Sequence, residues 1–365
     1  MPDIFMSVDE VKSFMTKTFL KVGVPKDDID IIVDVLISSD LRGIQSHGIG
    51  RLKYYLNFIE AGVQKTVTHV EIINESPGTA LLDGHCGMGH VIAYRAMELA
   101  IDKAATTGIS AVAVRNSTHF GITGYYPQMA IKRNMASFAV TNARPAVVPT
   151  FGCKPMFGTN PIAFGVPTDE ECPFILDMAT PITQRGKIEV MARQGKSVPE
   201  GWAIDREGNY VSDANALLEM FLKTSAALLP LGGAGELMAG YKGYGLALMV
   251  EILSAAFSGG PFLYGVSGVD ETGRKIPTRL GHFFIVIDIA KFIDIDTFKK
   301  ITGDIVRSMR ASDKLPGQNR IYTAGEKEFE MEQRIPSAGI PIGDDLQREL
   351  KEIQNRYDIK HELPF

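Results

Sequence analysis

The chain has 365 residues, of which 45% are hydrophobic and 22% charged, with a formal net charge of −5 at pH 7. At roughly 150 residues per domain this is two domains or one large one, and the composition excludes a disordered tail protein. The acidic balance attracts neither nucleic acid nor anionic membrane, so any anionic ligand needs locally placed cations.

Cys86, Cys153 and Cys172 are an odd count without CxxC spacing. They fit a reducing compartment and exclude a disulfide framework or a cysteine-based zinc site. The N-terminal stretch MPDIFMSVDEVKSF carries acids and lacks a basic-then-apolar leader. The apolar run from Gly245 to Val250 meets Glu251 well short of the ~20 residues a membrane span needs. The expected location is cytoplasmic, with no membrane and no nucleic-acid partner.

In chain order, Ser7 and Glu10 have capping-box spacing ahead of Val11, Phe14, Met15 and Val22 at helical intervals, and Gly23 and Pro25 end that helix. Ile29 to Leu36 predicts a second helix, and a third begins after Gly48 and runs from Arg51 to Glu60. The middle reads as α/β. Strands are expected at Thr79–Asp83, Ile109–Val114, Ala136–Val140, Pro161–Val166, Phe174–Leu176 and His282–Asp288. Helices are expected at Val91–Ala105, Tyr126–Lys132, Tyr244–Phe257, about Ile295–Met309 and Asp344–Ile353. No repeat, low-complexity segment or Gly/Ser linker divides the chain. The expected layout is a helical domain from both termini, residues 1–75 plus 310–365, wrapped around a central domain of residues 76–309.

Gly84-His85-Cys86-Gly87-Met88-Gly89-His90 follows a strand and opens a helix, as a dinucleotide loop would. The Rossmann fingerprint also needs a third glycine and an acid at the end of the next strand. Here Ile92 takes the glycine position and the next strand ends Val114-Arg115-Asn116, so the stretch reads as a glycine turn into a helix. His85 and His90 could approach one metal together, but no third ligand accompanies them. No metal is expected.

Ser46-His47-Gly48-Ile49-Gly50-Arg51 is more informative. On a continuous helix His47, Arg51 and Tyr55 would share one face. A helix N-terminus favours an anion, arginine forks a carboxylate, and histidine transfers protons near neutral pH. The bland alternative is a surface cap with a solvated arginine. His119, in Asn116-Ser117-Thr118-His119-Phe120-Gly121, follows a buried strand, where ligands collect or where a loop histidine is merely hydrogen-bonded. Asp177 closes Phe174-Ile175-Leu176 and could orient a histidine or cap a following helix. Lys187 and Lys242 each adjoin glycine, a pairing that suits a phosphate.

Together with Gly158-Thr159-Asn160-Pro161, Asp177-Met178-Ala179-Thr180, Pro199-Glu200-Gly201-Trp202 and Tyr241-Lys242-Gly243, these segments resemble the malate/L-lactate dehydrogenase family with the non-Rossmann NAD(P)-binding fold. The resemblance runs from about residue 5 to about residue 345. It implies an α/β, sulfolactate-dehydrogenase-like fold with a mainly antiparallel central sheet, NAD or NADP as cofactor, and a homodimer. It also implies hydride transfer on a 2-hydroxy or 2-keto acid, with malate the first expectation.

Carried over by position, the resemblance makes His47 the first choice for acid/base catalysis and His119 its rival, with Asp177 as orienting carboxylate. Ser46, Arg51 and Tyr55 would hold the substrate, and Arg144 could select a second carboxylate. Asn142, Ala143, Thr159, Asp177, Met178, Ala179, Lys242, Gly325 and Glu326 would line the cofactor. Three departures bear on those contacts: Pro181 where serine is usual, Ala324 where proline is usual, and a longer Gly232–Gly240 link. The alternatives are a reductase for lactate, sulfolactate, ureidoglycolate, diketogulonate or a cyclic imine acid, and a catalytically silent oligomeric binding protein.

Overall fold

The N-terminal elements are β1 (Ile4–Met6), α1 (Val8–Lys21), α2 (Lys26–Leu41) and α3 (Leu52–Glu60) in a computed structural model that describes residues 4–365. The capping box forms: Ser7 Oγ accepts from Glu10 N–H at 3.2 Å, and Glu10 Oε2 accepts from Ser7 N–H at 2.7 Å. Such a cap is worth about 1 kcal/mol.

The centre continues with β2 (Glu71–Glu75), β3 (Thr79–Asp83), α4 (Gly89–Thr107), β4 (Ile109–Ser117), α5 (Tyr125–Ile131), β5 (Met135–Thr141), β6 (Ile162–Val166) and β7 (Phe174–Met178). A smaller lobe follows with α6 (Arg185–Arg193), β8 (Ala203–Asp205), α7 (Ala214–Leu222) and β9 (Ala226–Leu228). After it come α8 (Gly240–Glu251), β10 (Leu280–Asp288), α9 (Ile295–Ala311), α10 (Glu326–Ala338), β11 (Ile340–Ile342) and α11 (Asp344–Arg356).

The seven-stranded sheet has the order β2-β3-β4-β10-β5-β6-β7. Only β3 and β4 are parallel among its pairs, joined by α4 as a parallel connection requires. The expected mainly antiparallel α/β sheet is therefore present. β10 arrives from far along the chain and lies between β4 and β5, with His282 opposite Val114 on one side and Thr141 on the other. Its Phe284 and Val286 pack with Val112 and Val114 and with Ile92, Ala96 and Ala100 of α4. Burial on both sides explains why it reads as a continuous apolar run.

Both termini share one core. Phe14, Phe19, Ile32, Leu36 and Leu56 pack with Ile335, Ile342, Leu350 and Ile353, and β1 pairs antiparallel with β11. The smaller lobe has its own cluster of Val147, Phe157, Ile188, Leu217 and Leu228.

The third helix is present as α3, but it does not continue back to His47, so His47, Arg51 and Tyr55 do not share one helical face; two 3₁₀ turns, Gln45–His47 and Ile49–Arg51, precede it. The chain breaks at Gly48, with φ −95° and ψ −137°, where a Cβ would lie 1.8 Å from Asp40 Oδ1. Asp40 Oδ2 accepts from Ile49 N–H at 2.8 Å and holds the second turn.

Candidate active site

The turn before α3 and the loop after β4 bring two histidines together. The His47 and His119 rings stack with centroids 5.4 Å apart. His47 Nδ1 lies 2.9 Å from Ser46 Oγ. Burial pushes the His47 imidazole down to about 4, and the Arg51 guanidinium adds to that shift. His119 is held well below the ordinary histidine range by burial first, then by His47 and Arg51. Both rings are therefore neutral at pH 7.

His119 is locked from behind. Gly121 N–H donates to its Nδ1 at 3.3 Å, and Tyr55 Oη lies 2.7 Å from the same atom. A nitrogen that accepts from a backbone N–H carries no proton, so Tyr55 donates and the His119 proton sits on Nε2. Tyr55 Oη in turn accepts from His90 Nε2 at 3.1 Å, and His90 Nδ1 is buried without a partner. Tyr55 is fully buried, and burial raises its phenol above the ordinary range. Its hydroxyl is thus committed to two imidazoles. Close packing tightens the cluster: a Cβ on Gly89 would lie 2.3 Å from Thr118 O and 2.5 Å from His119 O.

Arg51 lies with its guanidinium carbon 5.6 Å from the Tyr54 ring centroid, and its Nε is buried with no hydrogen-bond partner. No carboxylate pairs with it among the described residues. Arg144 is exposed and acts electrostatically on the same Tyr54. The arrangement presents Arg51 over Tyr54, with two neutral imidazoles stacked nearby and the Arg144 charge acting on the same phenol.

Asp177 sits elsewhere, on edge strand β7. Its Oδ2 accepts from Gly124 N–H at 2.7 Å, and no bond joins it to His47 or His119. It satisfies a donor at the start of α5 rather than capping the helix that follows it, and it touches neither imidazole; Ser46 lies against His47 and Tyr55 against His119. Solvent reaches one side of Asp177, yet the protein around it raises its carboxyl to about 6 despite the Gly124 contact. It lines a cleft of about 280 Å³ with Arg42, Gly124, Tyr322, Gly325 and Lys327. Gly325 opens α10, and Ile175 N–H donates to Ala324 O at 3.3 Å, which seats this segment on β7. The Glu326 carboxylate is taken by Arg310 and Arg320.

A ladder of backbone bonds gathers other expected cofactor residues. Thr180 N–H donates to Thr159 O at 3.0 Å, Leu231 N–H to Thr180 O at 2.9 Å, and Gly243 N–H to Leu231 O at 3.2 Å. Met178 and Ala179 therefore adjoin the start of α8, where Lys242 makes no ion pair among the described residues. Asn142 is different. It is fully buried, its Oδ1 accepts from Gly281 N–H at 2.9 Å, and its Nδ2 faces Glu251 at 3.4 Å. Asn160 bonds Glu251 at 2.9 Å and accepts from Ala143 N–H at 3.2 Å. The Asn142 side chain is thus engaged as a bolt by Gly281 and Glu251.

Sequence reasoning missed three supports. His90, which the sequence offers with His85 as a possible ligand, instead lies against Tyr55 Oη, and burial pushes it down to about 3. His282 is bolted to Thr141 Oγ1 and Ser117 Oγ, both at 2.7 Å, and stacks on Phe120 at 4.5 Å. It fixes the end of β4 from which His119 hangs. Glu251 carries its signal in being the acid that ends an otherwise apolar helix.

A sequence profile described as malate/L-lactate dehydrogenase matches residues 6–351. The chain is 45% identical over 353 residues to the malate dehydrogenase of Pyrococcus horikoshii, covering 96% of this chain and 95% of that protein. It is 36% identical over 363 residues to the malate/(S)-sulfolactate dehydrogenase of Methanothermus fervidus, covering 98% and 99%. The crystal structure of malate dehydrogenase from Entamoeba histolytica superposes with a TM-score of 0.94 at 42% identity, covering 100% of both chains.

Proposed function

The chain belongs to the malate/L-lactate dehydrogenase family, and on that premise we propose that it oxidises malate to oxaloacetate, reversibly, with NAD or NADP. The observation that carries the reading is the unpaired Arg51 beside two stacked, neutral imidazoles, with the charge of a second cation, Arg144, felt at the same Tyr54. A dicarboxylate needs two cations; a monocarboxylate such as lactate leaves one idle. Sulfolactate presents the same two-anion pattern and is the closest alternative.

The residues suit a nicotinamide dinucleotide. The Asp177–Gly325 cleft offers a half-open wall, and the unpaired Lys242 amine stands at the start of α8 as a countercharge. We assign Asp177, Met178, Ala179, Thr159, Gly325 and Lys242 to that side. Held there, such a cofactor would supply the hydride acceptor for C2 of the hydroxy acid and the hydride donor for the keto acid.

Arg51 holds the C1 carboxylate and thereby orients C2. Its charge is then neutralised, which removes one of the two influences that hold His47 low and makes that ring a better proton acceptor. His47 can place its own proton on Nδ1, toward Ser46, and receive the substrate hydroxyl proton at Nε2. His119, fixed with its proton on Nε2, serves as a neutral donor to the same oxygen. Tyr55 acts through His119 as a positioning residue rather than on substrate. The residues at both chain ends, 1–75 and 310–365, form the substrate-side body and residues 76–309 the cofactor body, with Gly325 reaching into the cofactor cleft and His119 into the substrate site. The same reading carries a homodimer, which sedimentation would detect as twice the chain mass.

The deciding experiment is a panel of malate, lactate, sulfolactate and ureidoglycolate against NAD⁺ and NADP⁺, followed by nicotinamide absorbance. Malate should give the highest kcat/KM. Failure of every 2-hydroxy acid with both cofactors would overturn the proposal.

A further inference from the structure

On the far edge of the sheet, away from the stacked imidazoles, we infer that His69, Glu71 and His85 form a binding site for one divalent transition-metal ion of the Zn²⁺, Co²⁺ or Ni²⁺ class. One ligand atom from each residue lies within 4.8 Å of the other two. His85 Nε2 is already 2.8 Å from Glu71 Oε2, and the His69 and His85 ring centroids are 5.1 Å apart. Tetrahedral bonds of 2.0–2.1 Å place ligand atoms roughly 3.3 Å from one another. The three donors bracket that separation, so small side-chain rotations close the site.

The backbone arranges this. His69 and Glu71 are two residues apart at the entry to β2, and Glu71 pairs with Asp83 across the strands. After Asp83 the chain turns back through two successive left-handed residues, His85 at φ +48° and Cys86 at φ +61°. Non-glycine residues adopt that conformation at a cost of about 1–2 kcal/mol each. The turn is secured by His85 N–H donating to Asp83 Oδ1 at 2.9 Å, while Arg115 and Asn116 hold Asp83 Oδ2. The result swings the imidazole over the start of β2.

A supporting shell is also present. Asp83 Oδ1 lies 3.7 Å from His85 Nδ1, on the ring edge opposite Glu71. A carboxylate behind a ligating histidine fixes its tautomer and raises its basicity. Two imidazoles and one carboxylate suit borderline divalent ions rather than Ca²⁺ or Mg²⁺, and they leave a position for water. The ion would clip the free edge strand to the turn that leads into α4.

The test is calorimetric titration of the chelator-stripped full chain with ZnCl₂, paired with the visible absorption of bound Co²⁺. The expected result is one ion per chain with micromolar or tighter affinity, and a higher melting temperature with Zn²⁺. His85→Asn, which retains tolerance of positive φ, and His69→Ala should each weaken binding at least tenfold, with far-UV circular dichroism unchanged. Should His85→Asn fail to fold, His69→Ala and Glu71→Gln carry the test. His47→Ala and His119→Ala should leave uptake unchanged. No stoichiometric uptake, undiminished uptake in His69→Ala, or uptake lost with the active-site histidines would overturn the inference.

Discussion

Tyr55→Phe removes one oxygen and separates two roles for this residue. The hydroxyl joins His119 Nδ1 at 2.7 Å and His90 Nε2 at 3.1 Å, in a fully buried place. Without it the His90 N–H has no acceptor, and the other nitrogen of that ring is already unpartnered. A buried donor left unsatisfied costs about 1–3 kcal/mol, and the lost bond to His119 adds about 0.5–1.5 kcal/mol. The variant should therefore be less stable by roughly 2–4 kcal/mol, read from urea midpoints at constant slope. His119 also loses the shorter of the two bonds that hold its ring, leaving only Gly121 N–H at 3.3 Å, and kcat for malate should fall about tenfold or more, within the ~10²–10⁴ span of acid/base catalysis. KM should move less than threefold, because the hydroxyl faces imidazoles and not substrate. Native kcat with a raised KM would return Tyr55 to the substrate-binding role expected from the sequence and refute the positioning argument.

Arg51→Ala should raise KM for malate by about 10–100-fold, the worth of a charge-assisted bond of 1.5–3 kcal/mol, and Arg144→Ala should lower the preference for malate over lactate. Asp40, buried beneath Gly48, has its carboxyl raised from 3.8 to about 7 by burial. A raised folded-state value means that stability present below pH 4 is lost as pH rises through 7. At 1.36 kcal/mol per unit the loss approaches about 4 kcal/mol. Asp40→Asn should thus match the native chain near pH 4 and exceed it at pH 8 in thermal melts; a less stable variant at pH 8 would contradict the assignment. With His47 held at about 4, the acid limb of kcat/KM should lie nearer pH 4 than pH 6.5, and His47→Asn should lower kcat at least tenfold.

Local pattern carried much of this architecture. The capping box of α1, the periodic faces of α2 and α4, and the apolar runs of β4 and β10 can be read within a dozen residues each. What could not be read is pairing at a distance: nothing around His282 says that its strand enters between β4 and β5. The helix α10 is polar and contains Pro336, so it shows no clear apolar stripe, and β2 is exposed along its whole length. At the site, the motifs drew the eye to His47, Arg51 and His119. Gly48 marks the helix start in the sequence, but the reason for the break is remote: a Cβ there would collide with Asp40, eight residues earlier in the chain. The Tyr55–His90 pair escaped notice because its members sit on different helices. Asp177 does not touch a histidine, because β7 enters the sheet at the edge opposite β2 and no local pattern shows where that edge lies.

Malate carrying deuterium at C2 offers the most direct measurement. Incubation with the chain and oxidised NAD or NADP, followed by mass spectrometry of the cofactor, should show one deuterium gained by the reduced nicotinamide, and His47→Asn should slow that transfer. Turnover of malate that leaves the reduced nicotinamide unlabelled, or no turnover at all, would contradict direct hydride transfer at this site.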